Sequence, residues 1–192
     1  VMEKINELNL EVKLAPNSGF CFGVKRAISM AKDAAESGKK IVTLGPIIHN
    51  PQVVRKLREM GVRDIEEISE INDETVIIRS HGIEQSKMKM LNDKNIEVID
   101  ATCPYVAKAQ ELANYLSTEG YPVVIMGDAE HPEVQAICSN VEGEYYVLDK
   151  DKELPKTYYP KLGLISQTTK RLNDFQELAG RLLPIAKELR II

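Results

Sequence analysis

An internal repeat with a period of 82 residues constrains the fold of this chain more than any other feature. The segment Cys21–Ala27 (CFGVKRA) matches Cys103–Ala109 (CPYVAKA), with the cysteine, the valine, a basic residue at the sixth position and the final alanine in register. At the same spacing, a glycine four residues before His49 matches a glycine four residues before His131, and a Pro-x-Val sequence follows each histidine. Matches that keep their order and their spacing indicate a duplicated structural unit.

A third match supports the same duplication. Ser80–Gly82 (SHG) aligns with Ser166–Thr168 (SQT), although the spacing there has grown to 86 residues. We therefore predict two homologous units, at residues 15–101 and 102–190, preceded by an N-terminal segment at residues 1–14.

Within both units, short β-rich runs alternate with amphipathic helical runs. The predicted strands are Ile41–Leu44, Val76–Ile78, Val98–Ile99, Val123–Met126, Tyr145–Leu148 and Leu162–Ile165. The predicted helices are Val24–Ala35, Val53–Met60, Gln85–Leu91, Tyr105–Leu116 and Leu172–Leu189, the last interrupted at Pro184. This alternation predicts an α/β fold in which each unit is a small parallel sheet flanked by helices.

Composition excludes several classes of partner. The net charge is −4 and no block of lysine and arginine stands out, which argues against nucleic acid. The longest uninterrupted aliphatic run is Val123–Met126, too short for a membrane span, and the first ten residues do not resemble a signal peptide. Three cysteines cannot all pair with one another. We therefore expect a cytoplasmic protein with reduced thiols.

All three histidines of the chain follow predicted strands in polar turns. The carboxyl ends of parallel strands are where ligands bind in such folds. His49 directly precedes a helix start at Asn50-Pro51, where backbone N–H groups attract anions, so it is a candidate ligand of a phosphate or diphosphate. His81 offers a second donor, and His131 begins the next helix at His131-Pro132.

Two further polar residues are candidates for the same site. Glu133 lies two residues from His131, a pairing that suits proton delivery to a hydroxyl leaving group. A glutamate stabilised at a helix start is the simpler alternative. Thr168, with Gln167 and Thr169 beside it, follows the last predicted strand of the repeat and could order a hydrogen-bond network or serve only the turn.

Cys21 and Cys103 each lie at a predicted helix N-terminus, which favours the thiolate form. Two thiolates brought together by two similar units suit an iron–sulfur cluster, and zinc held with histidines is the competing interpretation. Cys138 lies within an apolar helical pattern and is expected to be a small buried hydrophobe. We expect the two helix-start cysteines and the three histidines to converge between the units.

Six ordered motifs resemble the 4-hydroxy-3-methylbut-2-enyl diphosphate reductases. They are GFCFGVKRA (Gly19–Ala27), IIHNPQVV (Ile47–Val54), RSHGI (Arg79–Ile83), DATCPYVAK (Asp100–Lys108), HPEV (His131–Val134) and SQTT (Ser166–Thr169). The resemblance implies a fold in which three similar α/β domains surround a [4Fe-4S] cluster held by one cysteine from each. It implies that Cys21 and Cys103 are cluster ligands.

The resemblance also implies roles for the other candidates. His49, His81 and His131 match the substrate-contacting histidines, Glu133 matches the proton-relay acid, and Thr168 matches a threonine bonded to the substrate network. The implied reaction is reductive dehydroxylation of the allylic diphosphate to isopentenyl and dimethylallyl diphosphate. Ferredoxin or flavodoxin is the implied electron donor.

The sequence departs from the family in one respect. A further ligand cysteine is due near residue 185, and none is found there, so we expect the third unit of the family's pseudo-threefold arrangement to be absent. The chain is then expected to be a fragment or a shortened form, inactive alone and with the cluster missing or incomplete. A non-catalytic two-domain module that binds an anion or a partner, and a zinc hydrolase, are the alternatives.

Overall fold

The structure is a computed structural model that describes residues 12–16, 18–149, 151–154 and 156–192, so most of the predicted N-terminal segment 1–14 lies outside the described residues. The strands are β1 (Ile41–Leu44), β2 (Val62–Ile65), β3 (Thr75–Ile78), β4 (Val98–Asp100), β5 (Val123–Met126), β6 (Tyr145–Leu148), β7 (Tyr159–Ser166) and β8 (Ala186–Ile191). The helices are α1 (Phe22–Glu36), α2 (Pro51–Glu59), α3 (Gln85–Asp93), α4 (Pro104–Thr118), α5 (Pro132–Cys138) and α6 (Leu172–Leu182). Single 3₁₀ turns cover Ile68–Glu70 and Leu183–Ile185.

The strands form two four-stranded sheets with the same topology. Their orders are β2-β1-β3-β4 and β6-β5-β7-β8, and every strand pair is parallel. Each repeat begins with a helix whose N-cap is a cysteine, Cys21 for α1 and Cys103 for α4. The duplicated α/β architecture predicted from the repeat is therefore confirmed.

Both faces of each sheet are covered, which explains why the inner strands are continuously apolar. In the first sheet, Ile41 and Ile77 pack toward α1 and α2, whereas Val42 and Val76 pack on the opposite face with Leu91 of α3. Successive strand side chains point to opposite faces, so a sheet covered on both sides needs apolar residues at every position. The second sheet is enclosed in the same way by two further clusters.

Two sequence predictions about elements were wrong. β2 was missed because it is an edge strand whose middle residues, Arg63 and Asp64, are polar and form ion pairs with Glu74 and Arg58. The predicted helix Leu172–Leu189 ends at residue 182, and Ala186–Ile191 is instead an edge strand paired with β7. Good helix formers follow Pro184 there, but the open edge of β7 offers a complete ladder of backbone hydrogen bonds.

Backbone and side-chain bonds hold the two repeats together next to the helix-start cysteines. Arg26 of α1 donates to the carbonyl of Thr102 at 3.1 Å, and the Cys103 N–H donates to the carbonyl of Ser80 at 2.9 Å. Farther away, Gln85 donates to Ser139 and Asn140 through its backbone and its side chain. The turns that follow the strands of both sheets are thereby fixed side by side.

No helix in the described part of the chain combines the length and the apolar character that crossing a bilayer requires.

Candidate functional site

The three histidines come together between the two repeats. The ring centroids of His49 and His81 are 4.7 Å apart, those of His81 and His131 are 5.2 Å apart, and those of His49 and His131 are 6.1 Å apart. One nitrogen from each ring lies within 4.8 Å of the others. Residues from separate strand-to-helix turns, 82 residues apart for His49 and His131, thus form one cluster of nitrogen atoms.

Helix starts fix two of these rings. The Asn50 side chain accepts the Val53 N–H at 3.0 Å and so caps α2 directly after His49. His131 is itself the N-cap of α5, and its Nδ1 accepts the Glu133 N–H at 3.1 Å. Proline at the first position of each helix predicted both starts. The positive ends of α2 and α5 therefore lie beside the cluster.

The hydrogen bond at His131 determines what its ring can do. Because Nδ1 accepts a backbone N–H, the neutral ring carries its proton on Nε2. The ring therefore presents an N–H donor to any group it faces through Nε2. Such a nitrogen suits an anion and has no free lone pair for a metal ion in this tautomer.

His81 is half-buried and is held in its neutral form. Burial, followed by the neighbouring His49, His131 and Arg79, lowers the pKa of His81 from 6.5 to about 4. Its Nδ1 is buried and has no hydrogen-bond partner among the described residues. A buried polar atom without a partner carries a desolvation cost that a bound ligand can remove.

We expect a pH titration to reveal this shift directly. The unfolded chain protonates this imidazole near pH 6.5, and the folded chain protonates it only near pH 4. The neutral His81 ring therefore contributes fully to the free energy of unfolding above pH 6.5, and this contribution is lost as the pH falls toward 4. Ring NMR signals of His81 should titrate near pH 4, and added diphosphate should raise that midpoint. His81→Gln serves as the control, and an ordinary midpoint without diphosphate would contradict the geometry.

A buried carboxylate lies immediately behind the cluster. Glu133 is only 1 % exposed, and its two oxygens accept the Thr168 N–H at 2.7 Å and the Thr168 hydroxyl at 3.1 Å. Thr168 itself is exposed and follows β7 in the turn that starts at Gln167. The burial makes a merely solvated helix-start charge a poor description of Glu133, because an exposed glutamate would serve that purpose equally well.

Gln167, next to Thr168 in sequence, joins two of the turns around Glu133. Its side chain is 5 % exposed and accepts the Asp128 N–H at 3.2 Å, which joins the turn after β7 to the turn after β5. A Cβ at Gly127 would meet Val134 at 2.6 Å and Gln167 at 3.3 Å, so glycine is required for this close approach. Gly127 thus lets Val134 and Gln167, the chain neighbours of Glu133 and Thr168, pack close together.

Cys21 and Cys103 line one cavity of about 510 Å³ together with Thr168. Cys21 is exposed and Cys103 is half-buried, and no disulfide joins them. The remaining lining is mostly apolar and includes Tyr105, Leu112 and Ile165. Thr168 therefore both lines the cavity of the cysteines and bonds to Glu133, whose N–H is bonded to His131 through the helix cap.

Gly23 allows the two cysteine turns to approach each other. A Cβ at this position would lie 2.4 Å from the Cys103 Sγ and 3.0 Å from its Cβ. Contacts this short cannot be tolerated, so α1 and the Cys103 turn touch only because residue 23 has no side chain.

We expect Gly23→Ala to destabilise the protein by about 1–3 kcal/mol, the usual cost of overpacking. Gly180→Ala is the matched control, because Gly180 also lies in a helix but its Cβ would meet nothing within 4 Å. There the helix propensity of alanine should raise stability by as much as about 1 kcal/mol. Chemical denaturation measures both, and a Gly23→Ala protein as stable as wild type would show that the Gly23 contact is not restrictive.

The two cysteines fit as thiolate ligands of an iron–sulfur cluster. Both are helix N-caps, and both line one cavity beside a glycine that leaves room for Cys103. Cys138 does not belong to this set, because burial raises the pKa of its thiol to about 11 and it packs against the core of the second sheet. Its expected role as a small hydrophobe agrees with this packing.

Sequence reasoning missed Arg79 and Gln110. Arg79 is half-buried, its Nε has no partner among the described residues, and a Cβ on Gly45 would lie 2.8 Å from its Nη1. Gln110 of α4 lies against Gly82, where an added Cβ would be 2.5 Å from its Nε2. Arg79 directly precedes the Ser80–Gly82 motif and could have been found there, whereas nothing in the sequence singles out Gln110.

Among the described residues, the three histidines are the one set of His, Cys, Asp and Glu whose ligand atoms lie close enough to hold a metal ion together. Neither Cys21 nor Cys103 joins it. A mixed cysteine and histidine zinc site, which the sequence left open, is therefore not formed by these residues.

Comparison with known proteins gives one consistent family. The family model described as LytB protein matches residues 12–191. The 4-hydroxy-3-methylbut-2-enyl diphosphate reductase of Geotalea uraniireducens is 48 % identical over 185 residues, which cover 95 % of this chain and 65 % of the relative. The enzyme of the same name from Syntrophotalea carbinolica is 47 % identical over 186 residues, covering 95 % of this chain and 66 % of the relative. The chain thus spans about two thirds of the length of these curated relatives.

Solved structures that resemble this chain are also described as diphosphate reductases of this kind. A structure of (E)-4-hydroxy-3-methyl-but-2-enyl diphosphate reductase, described as the terminal enzyme of the non-mevalonate pathway, superposes with a TM-score of 0.81 at 39 % identity. It covers 94 % of this chain and 66 % of that chain. The E-1-hydroxy-2-methyl-but-2-enyl-4-diphosphate reductase from Plasmodium falciparum gives a TM-score of 0.80 at 25 % identity, covering 92 % of this chain and 57 % of that one.

Proposed function

Because this chain belongs to the LytB protein family, we propose that it serves the reductive dehydroxylation of 4-hydroxy-3-methylbut-2-enyl diphosphate to isopentenyl and dimethylallyl diphosphate. The observation that carries the proposal is the connected set of His131, Glu133 and Thr168 between the histidine cluster and the cysteine cavity. The reaction consumes two electrons and two protons, releases the hydroxyl as water, and leaves the diphosphate intact. A site for it needs anion donors, a proton source and an electron source.

The histidine cluster is the proposed diphosphate site. His131 presents Nε2–H because its Nδ1 is occupied, and His49 lies at the start of α2, whose N-terminus attracts negative charge. His81 is neutral above about pH 4 when no ligand is bound, so the site avoids crowding three positive charges. Donors fixed before the substrate arrives lose little entropy when it binds.

Glu133 is the proposed proton source, and Thr168 is the link to the cavity. The Thr168 hydroxyl bonds to a Glu133 oxygen, and Thr168 also lines the cavity that holds the two cysteines. A proton can therefore pass from the buried carboxyl through this hydroxyl to a leaving group in the cavity. The Thr168 hydroxyl and the Glu133 oxygen are 3.1 Å apart, so a proton can move between them without an intervening bulk water molecule.

Cys21 and Cys103 are the residues that would hold an iron–sulfur cluster, proposed to be of the [4Fe-4S] type. Bound there, such a cluster would supply the electrons of the reduction, with ferredoxin or flavodoxin as the proposed donor. Cubane clusters use three or four thiolates in most proteins. The third cysteine in this chain, Cys138, is held as a protonated thiol at neutral pH, so we expect the 192-residue polypeptide to be inactive by itself.

A zinc hydrolase is the second candidate, and the histidine cluster is the observation in its favour, since three imidazoles are a common catalytic zinc site. The tautomer of His131 opposes it, because binding zinc through Nε2 would require the proton to leave that nitrogen. A non-catalytic module that binds an anion or a partner without a cluster is the third candidate. The buried Glu133 has no evident purpose in such a module.

Anaerobic reconstitution followed by analysis for iron, sulfide and zinc distinguishes the three. We expect the polypeptide purified in air to be colourless, because two thiolates leave a cubane cluster short of a protein ligand. Anaerobic supply of iron and sulfide should then give broad visible absorption that depends on Cys21 and Cys103. Zinc retained at one per chain and lost in a His131 variant would instead favour the hydrolase, and neither metal would favour the binding module.

A further inference from the structure

A groove between α1 and α2 has a feature that the proposed chemistry does not use. It encloses about 380 Å³, and much of its lining is apolar. The apolar lining consists of Phe20, Ile28, Val53 and Leu57. Three lysines also line the groove, Lys25 and Lys32 from α1 and Lys56 from α2, and all three are exposed.

The positive charges of the groove are not offset by ion pairs among the described residues. In the described part of the chain, none of the three lysines forms an ion pair, although lysines on other surfaces do. The acids on the same two helices, Asp33, Glu36 and Glu59, line no part of the groove. In a protein whose net charge is −4, this is a local concentration of free positive charge.

The groove also ends beside a proposed cluster ligand. Phe20 is 39 % exposed in the groove and directly precedes Cys21, and Lys25 lies one helical turn after that cysteine. Interfaces of electron-transfer proteins are small, and charge complementarity around an apolar centre sets their rate of encounter. A negatively charged protein seated here would lie next to the Cys21 end of the cysteine cavity.

We propose that the groove lined by Phe20, Lys25, Lys32 and Lys56 is the docking surface for a small acidic electron-carrier protein. The proposal rests on the proposed function, because it needs an electron acceptor at Cys21. Nucleic acid is the disfavoured occupant, since three lysines make too small a basic patch for a phosphate backbone in a chain of negative net charge.

Charge reversal tests the proposal without requiring a loaded cluster. The affinity of the 192-residue chain for an acidic ferredoxin and an acidic flavodoxin is measured at low and at high salt. K25E/K32E/K56E is expected to weaken binding by about tenfold or more at low salt and to remove most of its salt dependence. K89E/K94E/K187E is the matched control, because these exposed lysines also lack an ion pair in the described part of the chain and lie outside the groove.

The proposal is overturned if both triple variants weaken carrier binding equally, or if neither variant weakens it. It is also overturned if the chain binds single-stranded RNA more tightly than either carrier. A second experiment separates this proposal from the proposed function, and it uses a cluster-loaded form of this protein that carries a full set of cluster ligands. Turnover with methyl viologen, a small donor that needs no docking surface, should survive in K25E/K32E/K56E while the KM for the protein donor rises. Wild-type enzyme without methyl viologen turnover would refute the proposed function, whereas an unchanged protein-donor KM in an active variant would refute the docking surface alone.

Discussion

Replacing Glu133 by glutamine is expected to lower kcat by about 10²–10⁴-fold, the usual contribution of a general acid, in a cluster-loaded form of this protein that carries a full set of cluster ligands. The amide keeps the size of the side chain, and its oxygen can still accept the Thr168 N–H. Its nitrogen can donate to the Thr168 hydroxyl, which accepts as readily as it donates. The variant should therefore fold and bind substrate, with a KM within about threefold of the wild-type value, because only proton donation is lost.

Glu130→Gln is the control for this experiment. Glu130 is the same residue type three positions earlier, but it is exposed and lies outside the Thr168 network. Steady-state kinetics with a saturating small-molecule donor should leave its kcat unchanged. A Glu133→Gln enzyme with a kcat near that of wild type would limit Glu133 to a structural role at the start of α5.

The second large effect is expected at His131, where one substitution separates two functions of the ring. Asparagine is among the best N-cap residues, so His131→Asn keeps an acceptor for the Glu133 N–H and preserves the start of α5. It removes the outward Nε2–H. We expect the affinity for inorganic diphosphate to fall by about 10–100-fold, the value of one hydrogen bond to a charged group. Calorimetric titration of the 192-residue chain measures it.

His131→Ala completes the comparison. It removes both the donor and the cap, so it should lose a similar affinity for diphosphate and about 1 kcal/mol of stability as well. The hypothesis fails if His131→Asn binds diphosphate as well as wild type does. It also fails if the loss of affinity in His131→Ala merely follows its loss of stability.

The repeat made most of the fold predictable, because the residues that recur are those that begin helices and follow strands. Cys103, Asn50 and His131 were each expected to cap a helix with proline next in sequence, and each does so. The errors fell on edge strands. β2 and β8 have polar and helix-forming residues, and they are strands because a neighbouring strand presents unpaired backbone groups, which no local pattern records.

The clustering of the histidines was predictable, whereas the contacts around them were not. Histidines and cysteines after parallel strands were expected to converge, and the structure brings one ring nitrogen of each histidine within 4.8 Å of the others. The burial of Glu133 against Thr168, 35 residues away, could not be derived from spacing because it depends on how β7 and α5 pack. The tautomer of His131 likewise follows from a single hydrogen bond in three dimensions.

The claim that the histidine cluster binds diphosphate is tested most directly by ¹⁵N NMR of the histidine ring nitrogens. Their protonation is followed while the chain is titrated with diphosphate and, separately, with Zn²⁺. We expect His131 to carry its proton on Nε2 in the free protein and to keep it when diphosphate binds, with signals of all three histidines shifting together. Zn²⁺ should bind weakly and compete with diphosphate. Tight zinc binding through His131 Nε2, with no response of the three rings to diphosphate, would contradict the assignment of the histidine cluster as a diphosphate site.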